Sequence, residues 1–223
     1  MALMNLDAGE HPDEPEALWA LFDVLNIACG GHAGDAASME RVICWCVATG
    51  CAIGAHPSYP DRSGFGRRTL AIEPAALAAS VAAQCAALAA IARPPGRPVE
   101  YVKPHGALYH DASASEMLAR AVVTAAADTL GDDVIVIGPP AGALRDAATA
   151  RRLRYASEGF ADRRMRPDGS LVPRSEPGAL LGDPTEAAAQ ACALAAHVDT
   201  ICLHADTPGA LTIAGAVHRA LRG

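Results

Sequence analysis

The sequence is poor in aromatic residues and in positive charge. Aromatic residues make up 4% of its 223 residues, and 18 lysines and arginines stand against 25 aspartates and glutamates, which gives a formal net charge of -7. Because such a chain has no basic field to hold a polyanionic backbone, nucleic acid is not an expected partner. The hydrophobic content of 51% is that of a globular protein rather than a disordered or fibrous one.

The sequence also lacks the pattern of a disulfide framework. Its 7 cysteines are odd in number, and most lie among apolar residues, which is typical of reduced thiols in a cytosol. Cys44 and Cys46 have no matching second pair, which argues against a zinc knuckle. Residues 1–7 carry no positively charged side chain and reach an acid too early for a signal peptide. We therefore expect a cytoplasmic protein.

No membrane span is predicted, although residues 74–92 are uncharged over a sufficient length. This segment is mostly alanine and contains Ser80 and Gln84, and alanine gains little from contact with lipid. The pattern favours a buried or half-buried helix. Phosphate loops, dinucleotide-binding glycine motifs, nucleophile elbows and zinc-protease helices are absent as well, so the chain shows no standard nucleotide site.

The sequence does contain a regular alternation of strands and helices. Seven short apolar or β-branched runs predict strands at residues 3–7, 24–28, 51–55, 99–103, 134–138, 155–158 and 200–203. Alanine-rich segments between them predict helices at 36–48, 74–92, 115–129, 142–150, 184–196 and 209–221. This rhythm predicts an α/β protein in which residues 1–223 form one domain, a closed or nearly closed parallel β/α barrel of seven strands.

Polar side chains occur where most of the predicted strands end. In a parallel barrel these ends lie on one face, where such folds place their active sites. The residues at the ends of the first four strands are Asn5, Asp7, Glu10, Asn26, His32, His56, Lys103 and His105. The last two strands lead into Glu158, Arg163, His204 and Asp206. We predict that these residues share one site.

Four of the 8 histidines lie at these strand ends, namely His32, His56, His105 and His204. Any one of them could be structural, with its ring bonded to a loop carbonyl, but four together indicate a function. They could act as general acids and bases near neutral pH. They could instead bind a divalent metal with a carboxylate partner, and Asp7, His32 and His56 are the candidate ligands.

Lys103 is the only lysine among the 18 cationic residues. A coding bias toward arginine would produce this composition wherever lysine and arginine are interchangeable. The lysine at position 103 therefore indicates that the two residues are not interchangeable there. An ammonium is compact and its pKa can fall on burial, whereas a guanidinium is planar and stays charged. Chance retention of a surface lysine is the alternative, but His105 lies only two residues away.

The loop at residues 64–68 combines two glycines with the adjacent cations Arg67 and Arg68. Such a loop suits an anion, either a carboxylate or a phosphate. It could equally be a solvated loop whose arginines pair with surface acids. Arg163 could likewise bind an anion or pair with an acid of the protein. Asp162 and Arg163 could form an internal ion pair.

Several long motifs resemble the LamB/YcsF family, in order and over nearly the whole chain. They are N-I-A-C-G at 26–30, H-A-G-D at 32–35, G-A-H-P-S-Y-P-D at 54–61, G-F-G-R-R at 64–68, V-K-P-H-G-A-L-Y at 102–109, E-G-F-A-D-R at 158–163, D-G-S-L-V-P-R at 168–174 and C-L-H-A-D at 202–206. The resemblance implies a distorted barrel of the TIM type, similar to that of polysaccharide deacetylases. It also implies the ATP-dependent opening of 5-oxo-L-proline to L-glutamate, with Mg²⁺ accompanying the ATP and with separate B and C subunits as partners.

The resemblance and the strand-end positions together suggest roles for the candidate residues. Positioning and deprotonating water, and protonating the ring nitrogen, would fall to Asp7, Glu10, His32, His56 and His105. Lys103 would stabilise developing oxyanion or phosphate charge, and Arg67 or Arg68 would hold the substrate carboxylate. Orientation of these groups or nucleotide binding would fall to Glu158, His204 and Asp206, and Asn5, Asn26 and Arg163 would bind the substrate or the cofactor.

Two other functions fit the same residues. A metal-dependent amide or acetyl hydrolase would need no ATP, because histidine and aspartate side chains can bind a divalent ion. A non-catalytic subunit would only carry the substrate within a complex. Their tests are metal analysis and substrate binding without a chemical step.

The sequence departs from the family pattern at four places. Leu3 stands where relatives usually have an acid, Gly31 where an aromatic residue is common, and His110 where asparagine is usual. The segment between Glu10 and Asn26 is shorter than the family pattern. We expect these departures to affect the first loop and the choice of substrate more than the fold.

Overall fold

Seven parallel strands form a closed barrel in the computed structural model, which describes residues 1–166, 171–174 and 176–223. The strands are β1 (Leu3–Ala8), β2 (Val24–Ala28), β3 (Ala52–His56), β4 (Tyr101–Val102), β5 (Ile135–Gly138), β6 (Arg154–Phe160) and β7 (Thr200–His204). Neighbours in sequence are neighbours in the sheet, and β7 pairs with β1 to close it. The predicted parallel β/α barrel is confirmed.

Helices cover the outside of this barrel. They are α1 (Glu16–Trp19), α2 (Ala36–Thr49), α3 (Pro74–Ala92), α4 (Gly106–Ala114), α5 (Glu116–Leu130), α6 (Ala143–Ala150), α7 (Pro184–Leu194) and α8 (Ala210–Arg222). Local sequence sets several of their ends. Asp35 and Ser38 form a capping box on α2, and the side chain of Asp183 accepts from two backbone N–H groups at the start of α7.

The strands carry different side chains on their two faces. Along β1, Met4 and Leu6 pack in the apolar core between strands and helices, whereas Asn5 and Asp7 bond to residues of other strands inside the barrel. This alternation is the two-residue period of a strand. The register pairs Asp7 with Asn26 on one side and with His204 on the other. The closed sheet thereby collects polar side chains into its interior.

Three local features differ from the sequence-based prediction. The fourth strand was predicted at 99–103 but pairs only over Tyr101–Val102, and the N–H of Lys103 adds one further bond to the carbonyl of Ala55. Helices α1 and α4 had not been predicted. Of the family-like motif at 168–174, residues 168–170 lie outside the described residues.

Helix α3 is long and apolar enough, by length and composition, to cross a membrane, with a mean hydropathy of 1.9. In the structure it lies in the outer layer of the barrel and packs mainly against α5. Leu77, Val81 and Leu88 are buried in the core, and the Gln84 amide bonds to the backbone of Ser58. The prediction of a half-buried helix is confirmed, since 33% of its apolar window is buried.

Candidate active site

A cavity of about 760 Å³ opens at the carboxyl ends of the strands. This volume is typical of sites for small molecules. Nine of the predicted site residues line it, namely Asp7, Glu10, His56, Arg67, Lys103, His105, Glu158, Arg163 and His204. Most of the site residues predicted from the sequence therefore lie together at this cavity.

A group of four side chains, which we call the histidine cluster, lies on one side of this cavity. It consists of Glu10, His32, His56 and His105, and one ligand atom from each lies within 4.8 Å of the others. Glu10 Oε1 is 2.8 Å from His32 Nε2, 3.0 Å from His105 Nδ1 and 3.7 Å from His56 Nε2. A single carboxylate oxygen thus faces all three imidazoles.

Backbone carbonyls fix which ring nitrogens face the cluster. His56 Nδ1 is 2.7 Å from the carbonyl oxygen of Lys103, and His105 Nε2 is 2.9 Å from that of Phe65. Because a carbonyl only accepts, both of these nitrogens carry a hydrogen. In the neutral rings, His56 Nε2 and His105 Nδ1 then hold lone pairs, and these atoms are 3.0 Å apart. Lone pairs that face one another and a carboxylate require a proton or a cation between them.

The pKa values show where a proton is held. Burial lowers the pKa of His56, but the charge and hydrogen bond of Asp7 outweigh burial and raise it. Burial lowers the pKa of His32 to about 4 and also lowers that of His105. The pKa of Glu10 lies well below its usual range, since the close approach of His105 and the hydrogen bond from His32 outweigh burial. Among the three histidines of the cluster, His56 alone has a raised pKa, which makes it the group best suited to hold a proton.

The turn after Asp61 shapes the opposite face of the cluster. Gly66 has a φ of 62°, and a Cβ there would lie 2.9 Å from His105 Cδ2 and 3.0 Å from the His32 Cβ. Phe65 has a φ of 53°, an uncommon conformation for a residue with a side chain. Its carbonyl is thereby presented to His105. Only glycine at position 66 allows the rings to approach this turn.

Lys103 lies at the floor of the cavity with 2% of its surface exposed. Its Nζ is 2.8 Å from Glu158 Oε1, 3.0 Å from Asp7 Oδ1 and 3.2 Å from Asn5 Oδ1. Burial lowers its pKa, but the negative charges of Asp7 and Glu158 raise the pKa well above the usual range. Its three N–H bonds are therefore directed at acceptors of the protein. Lys103 serves first as the counter-ion of two buried carboxylates.

Asn5 and Asn26 complete this lysine network from below and do not line the cavity. Asn5 Nδ2 donates to Glu158 Oε1 and to the Thr200 hydroxyl, each at 2.9 Å. Asn26 Nδ2 donates to Asn5 Oδ1 at 2.8 Å and to Asp7 Oδ1 at 3.2 Å. Both asparagines are fully buried. These two asparagines therefore orient the carboxylates of Asp7 and Glu158.

Asp162 was considered in the sequence only as a partner of Arg163, and the structure gives it a different partner. Its carboxylate oxygens are 3.0 and 3.1 Å from His204 Nδ1, and they accept from the Thr207 hydroxyl at 2.6 Å. His204 Nε2 then points to the cavity side, 3.9 Å from Asp7 Oδ2. Burial raises the Asp162 pKa, but the charge and hydrogen bonds of His204 hold it below its usual range. The position of Asp162 after β6 was the available signal.

The arginines predicted to bind anions have different surroundings. Arg67 and Arg174 both bond to the carboxylate of Asp206, at 2.6 and 2.8 Å. Arg68 is bound by Asp61 at 2.6 Å, its side chain is 64% exposed, and it does not line the cavity. The structure thus brings Arg67 to the site but leaves Arg68 outside it.

Glu14 is a further residue of the site that the sequence pattern did not reveal. Its two carboxylate oxygens accept from the backbone N–H groups of Gly9, Glu10 and His11, at 2.8 to 3.0 Å, and from the indole N–H of Trp19 at 3.2 Å. These bonds hold the loop that carries Glu10. An acid four residues after Glu10 was the available signal, but a surface position explains such a residue equally well.

The fold and site define a parallel β/α barrel with a carboxylate and histidine cluster at its mouth, an arrangement suited to acid–base or metal-assisted chemistry on small molecules. The model of the LamB/YcsF family matches residues 4–223. The chain belongs to this family.

Similar proteins and a solved structure agree with this assignment. A protein of Methylococcus capsulatus that is named as the A subunit of 5-oxoprolinase is 42% identical, over 95% of this chain and 88% of its own. One of the same name from Chloroflexus aggregans is 40% identical, over 98% and 94%. The crystal structure of a lactam utilization protein from Thermus thermophilus is 33% identical, with a TM-score of 0.91 over 99% of this chain and 96% of that one.

Proposed function

We propose that this chain is the A subunit of an ATP-dependent 5-oxoprolinase, which opens 5-oxo-L-proline to L-glutamate in the cytoplasm. The observation that carries the proposal is the similarity, over nearly the full length of both chains, to proteins named as the A subunit of 5-oxoprolinase. The B and C subunits of the same enzyme are the proposed partners. The cavity at the strand ends is the proposed site of the chemistry.

Opening a lactam requires a base for the attacking water and an acid for the leaving nitrogen. In this proposal His56 donates the proton to the leaving nitrogen. The pKa of His56 is raised by Asp7, and His56 Nε2 lies 3.3 Å from Asp7 Oδ2. His105 has a lowered pKa and a lone pair on Nδ1, which suits it to accept a proton from water. Glu10 and His32 position His105.

ATP is the proposed co-substrate, with Mg²⁺. The carbonyl carbon of the lactam is a weak electrophile because the amide is stabilised by resonance. Phosphorylation of the amide oxygen would make this carbon a better electrophile. Arg67 and Arg174 offer positive charge at the cavity, with side chains 42% and 24% exposed, and such charge suits phosphate groups. Lys103 supports the reaction by holding Asp7 and Glu158 in place through its ion pairs with them.

A metal-dependent hydrolase is the second candidate, favoured by the converging atoms of the histidine cluster. Three imidazole nitrogens and one carboxylate oxygen within 4.8 Å of one another form a donor set suited to zinc and similar ions. Backbone carbonyls bond to the outer ring nitrogens of His56 and His105 and orient both rings, as is usual for metal ligands. A bound ion would polarise an amide carbonyl and lower the pKa of a bound water.

The experiment measures ADP and glutamate formed from 5-oxo-L-proline and ATP. The purified chain is assayed alone and together with B and C subunits from the same genome, and its metal content is determined in parallel. We expect coupled formation of both products in the mixture. The variant His56→Gln is expected to abolish it, whereas His197→Gln should not, because His197 is exposed and does not line the cavity.

The other functions give different results. A metal hydrolase would arrive with bound metal, or be activated by added metal, and would cleave its substrate without ATP. A carrier subunit would bind 5-oxo-L-proline while His56→Gln left the rate of the chemical step unchanged. Absence of ADP and glutamate in every mixture of folded proteins would contradict the proposed function.

A further inference from the structure

We propose that Arg163 is the residue that binds the carboxylate group of the substrate. The name of that substrate rests on the proposed function, whereas the carboxylate site rests on the surroundings of Arg163. The sequence pattern had suggested Arg67 or Arg68 for this role.

Arg163 is a buried cation that forms no ion pair with any acid in residues 1–166, 171–174 and 176–223. It is 6% exposed and lines the cavity. Its Nη2 donates to the carbonyl of Val172 at 2.8 Å, and in the part of the chain that the structure describes its Nε has no hydrogen-bond partner. Burial and the charge of Arg174 lower its pKa. A buried charge of this kind is costly unless an anion reaches it.

The other arginines at the cavity or beside it already have an acid partner. One carboxylate, that of Asp206, holds both Arg67 and Arg174, and Asp61 holds Arg68. A ligand carboxylate at any of these would have to replace an existing ion pair. At Arg163 it would instead meet a buried cation that has no ion pair among the described residues, which gains more free energy.

The backbone around Arg163 is held in place before a ligand binds. The amide Nε2 of Gln190 donates to the carbonyl of Phe160 at 2.6 Å and to that of Arg163 at 2.8 Å. The N–H of Leu181 bonds to the carbonyl of Asp162. A preorganised guanidinium loses little freedom on binding, which favours affinity.

Neighbouring groups match the remainder of a small lactam acid. Glu158 and Tyr109 line the same cavity, and burial together with the neighbouring charge and hydrogen bond of Glu158 raises the pKa of the Tyr109 hydroxyl. A lactam offers an N–H to the first and a carbonyl oxygen to the second. Its methylene carbons suit the ring of Phe160, which packs against Tyr109 with 5.9 Å between ring centroids.

The test is a calorimetric titration of the full chain with two ligands that differ by one group. The ligands are 5-oxo-L-proline and 2-pyrrolidinone, the same ring without the carboxylate. We expect the wild type to bind the acid at least about 10-fold more tightly, the value of one charge-assisted bond. Arg163→Gln should weaken binding of the acid by about 10- to 100-fold and leave that of the neutral lactam nearly unchanged.

Matched variants separate this role from loss of structure. Arg164→Gln removes the next arginine, which is exposed and bonds to Glu186 outside the cavity, and should bind both ligands as the wild type does. Arg163→Lys keeps a charge and should retain part of the preference for the acid. Thermal unfolding checks that each variant is folded.

Three results would overturn the inference. They are equal binding of the two ligands by the wild type, no binding of the acid by the wild type, and an unchanged preference for the acid in Arg163→Gln. Transfer of the loss to Arg67→Gln or Arg174→Gln would assign the carboxylate to the Asp206 pair instead. The preference for the acid could depend on Arg163 while the protein forms no ADP or glutamate with the B and C subunits. That result would refute the proposed function and leave this inference standing.

Discussion

The imidazole rings of His32 and His105 lie face to face, with 3.5 Å between ring centroids and 3° between ring planes. Both rings also lie against the same oxygen of Glu10, at 2.8 Å for His32 and 3.0 Å for His105. Two positive charges at this distance would repel each other strongly, and one carboxylate could not offset both. Burial and this close stacking both disfavour the charged forms of His32 and His105, so His56 is the group of the cluster best suited to hold a proton.

The neutral state of His32 predicts a loss of stability in mild acid. Burial lowers its pKa from 6.5 to about 4, so below about pH 6.5 the unfolded chain binds a proton that the folded chain does not. The contribution to the free energy of unfolding is present above about pH 6.5 and is lost as the pH falls toward 4. Between about pH 7.5 and pH 5 we expect a loss of about 2 kcal/mol from this residue.

Urea unfolding at these two pH values, with EDTA present, measures this loss in the wild type and in His32→Gln. The variant has no group to titrate and should lose about 2 kcal/mol less than the wild type. His56, whose raised pKa acts in the opposite direction, is present in both proteins and cancels in the comparison. Equal losses in the two proteins would contradict the assignment.

Lys103→Met is expected to destabilise the protein and to stop ring opening. The substitution leaves Asp7 and Glu158 as buried carboxylates without their counter-ion, which costs about 3–5 kcal/mol. Adding Glu158→Gln removes one of these charges and should recover part of the lost stability without recovering activity. A double variant that is no more stable than Lys103→Met would show that the lysine does not act through this ion pair.

Glu14→Gln tests how the loop of Glu10 is held. An amide cannot accept on its nitrogen, so some of the four N–H groups now bound to Glu14 would lose their acceptor. We expect the free energy of unfolding to fall by about 1–3 kcal/mol, and kcat to fall more than KM rises, because Glu10 is displaced. The neighbouring exposed residue provides the control, and Asp13→Asn should change neither quantity.

Gly66→Ala is expected to disturb the stacked rings. The added Cβ would approach His105 Cδ2 and the His32 Cβ, and the φ of 62° is unfavourable for alanine. We expect a loss of about 1–3 kcal/mol in the free energy of unfolding and a clear fall in kcat. Gly182→Ala has open space around its Cβ and an ordinary φ, so wild-type stability and kcat are expected there.

The barrel and the position of its site could be predicted from the sequence. Each strand is a short apolar run, and the polar residues that end these runs must meet at one edge when the strands are parallel. The short β4 and the unpredicted α4 show the limits of this approach. Helix α4 has little amphipathic pattern, and its first turn is fixed by a bond from Ala107 N–H to the carbonyl of Gly66, far away in the sequence.

The pairing of side chains within the site was not predictable. Asn5 and Glu158 are bonded although they are 153 positions apart, and only the register of a closed barrel brings them together. The same reason explains why the sequence suggested Arg163 and not His204 as a possible partner of Asp162, and why Arg68 was expected at the site. Sequence patterns locate strand ends, but they do not show which acid neutralises which base.

The polar residues inside this barrel both stabilise the fold and form part of the site. Many β/α barrels fill this space with branched apolar side chains, whereas here Lys103, Asp7, Glu158, Asn5 and Asn26 connect strands on opposite sides of the barrel. A substitution in this layer therefore alters stability and reactivity together. New specificities can arise more easily in the rim loops that carry Arg67, Arg163 and Arg174, so members of the family should diverge there while the interior layer stays the same.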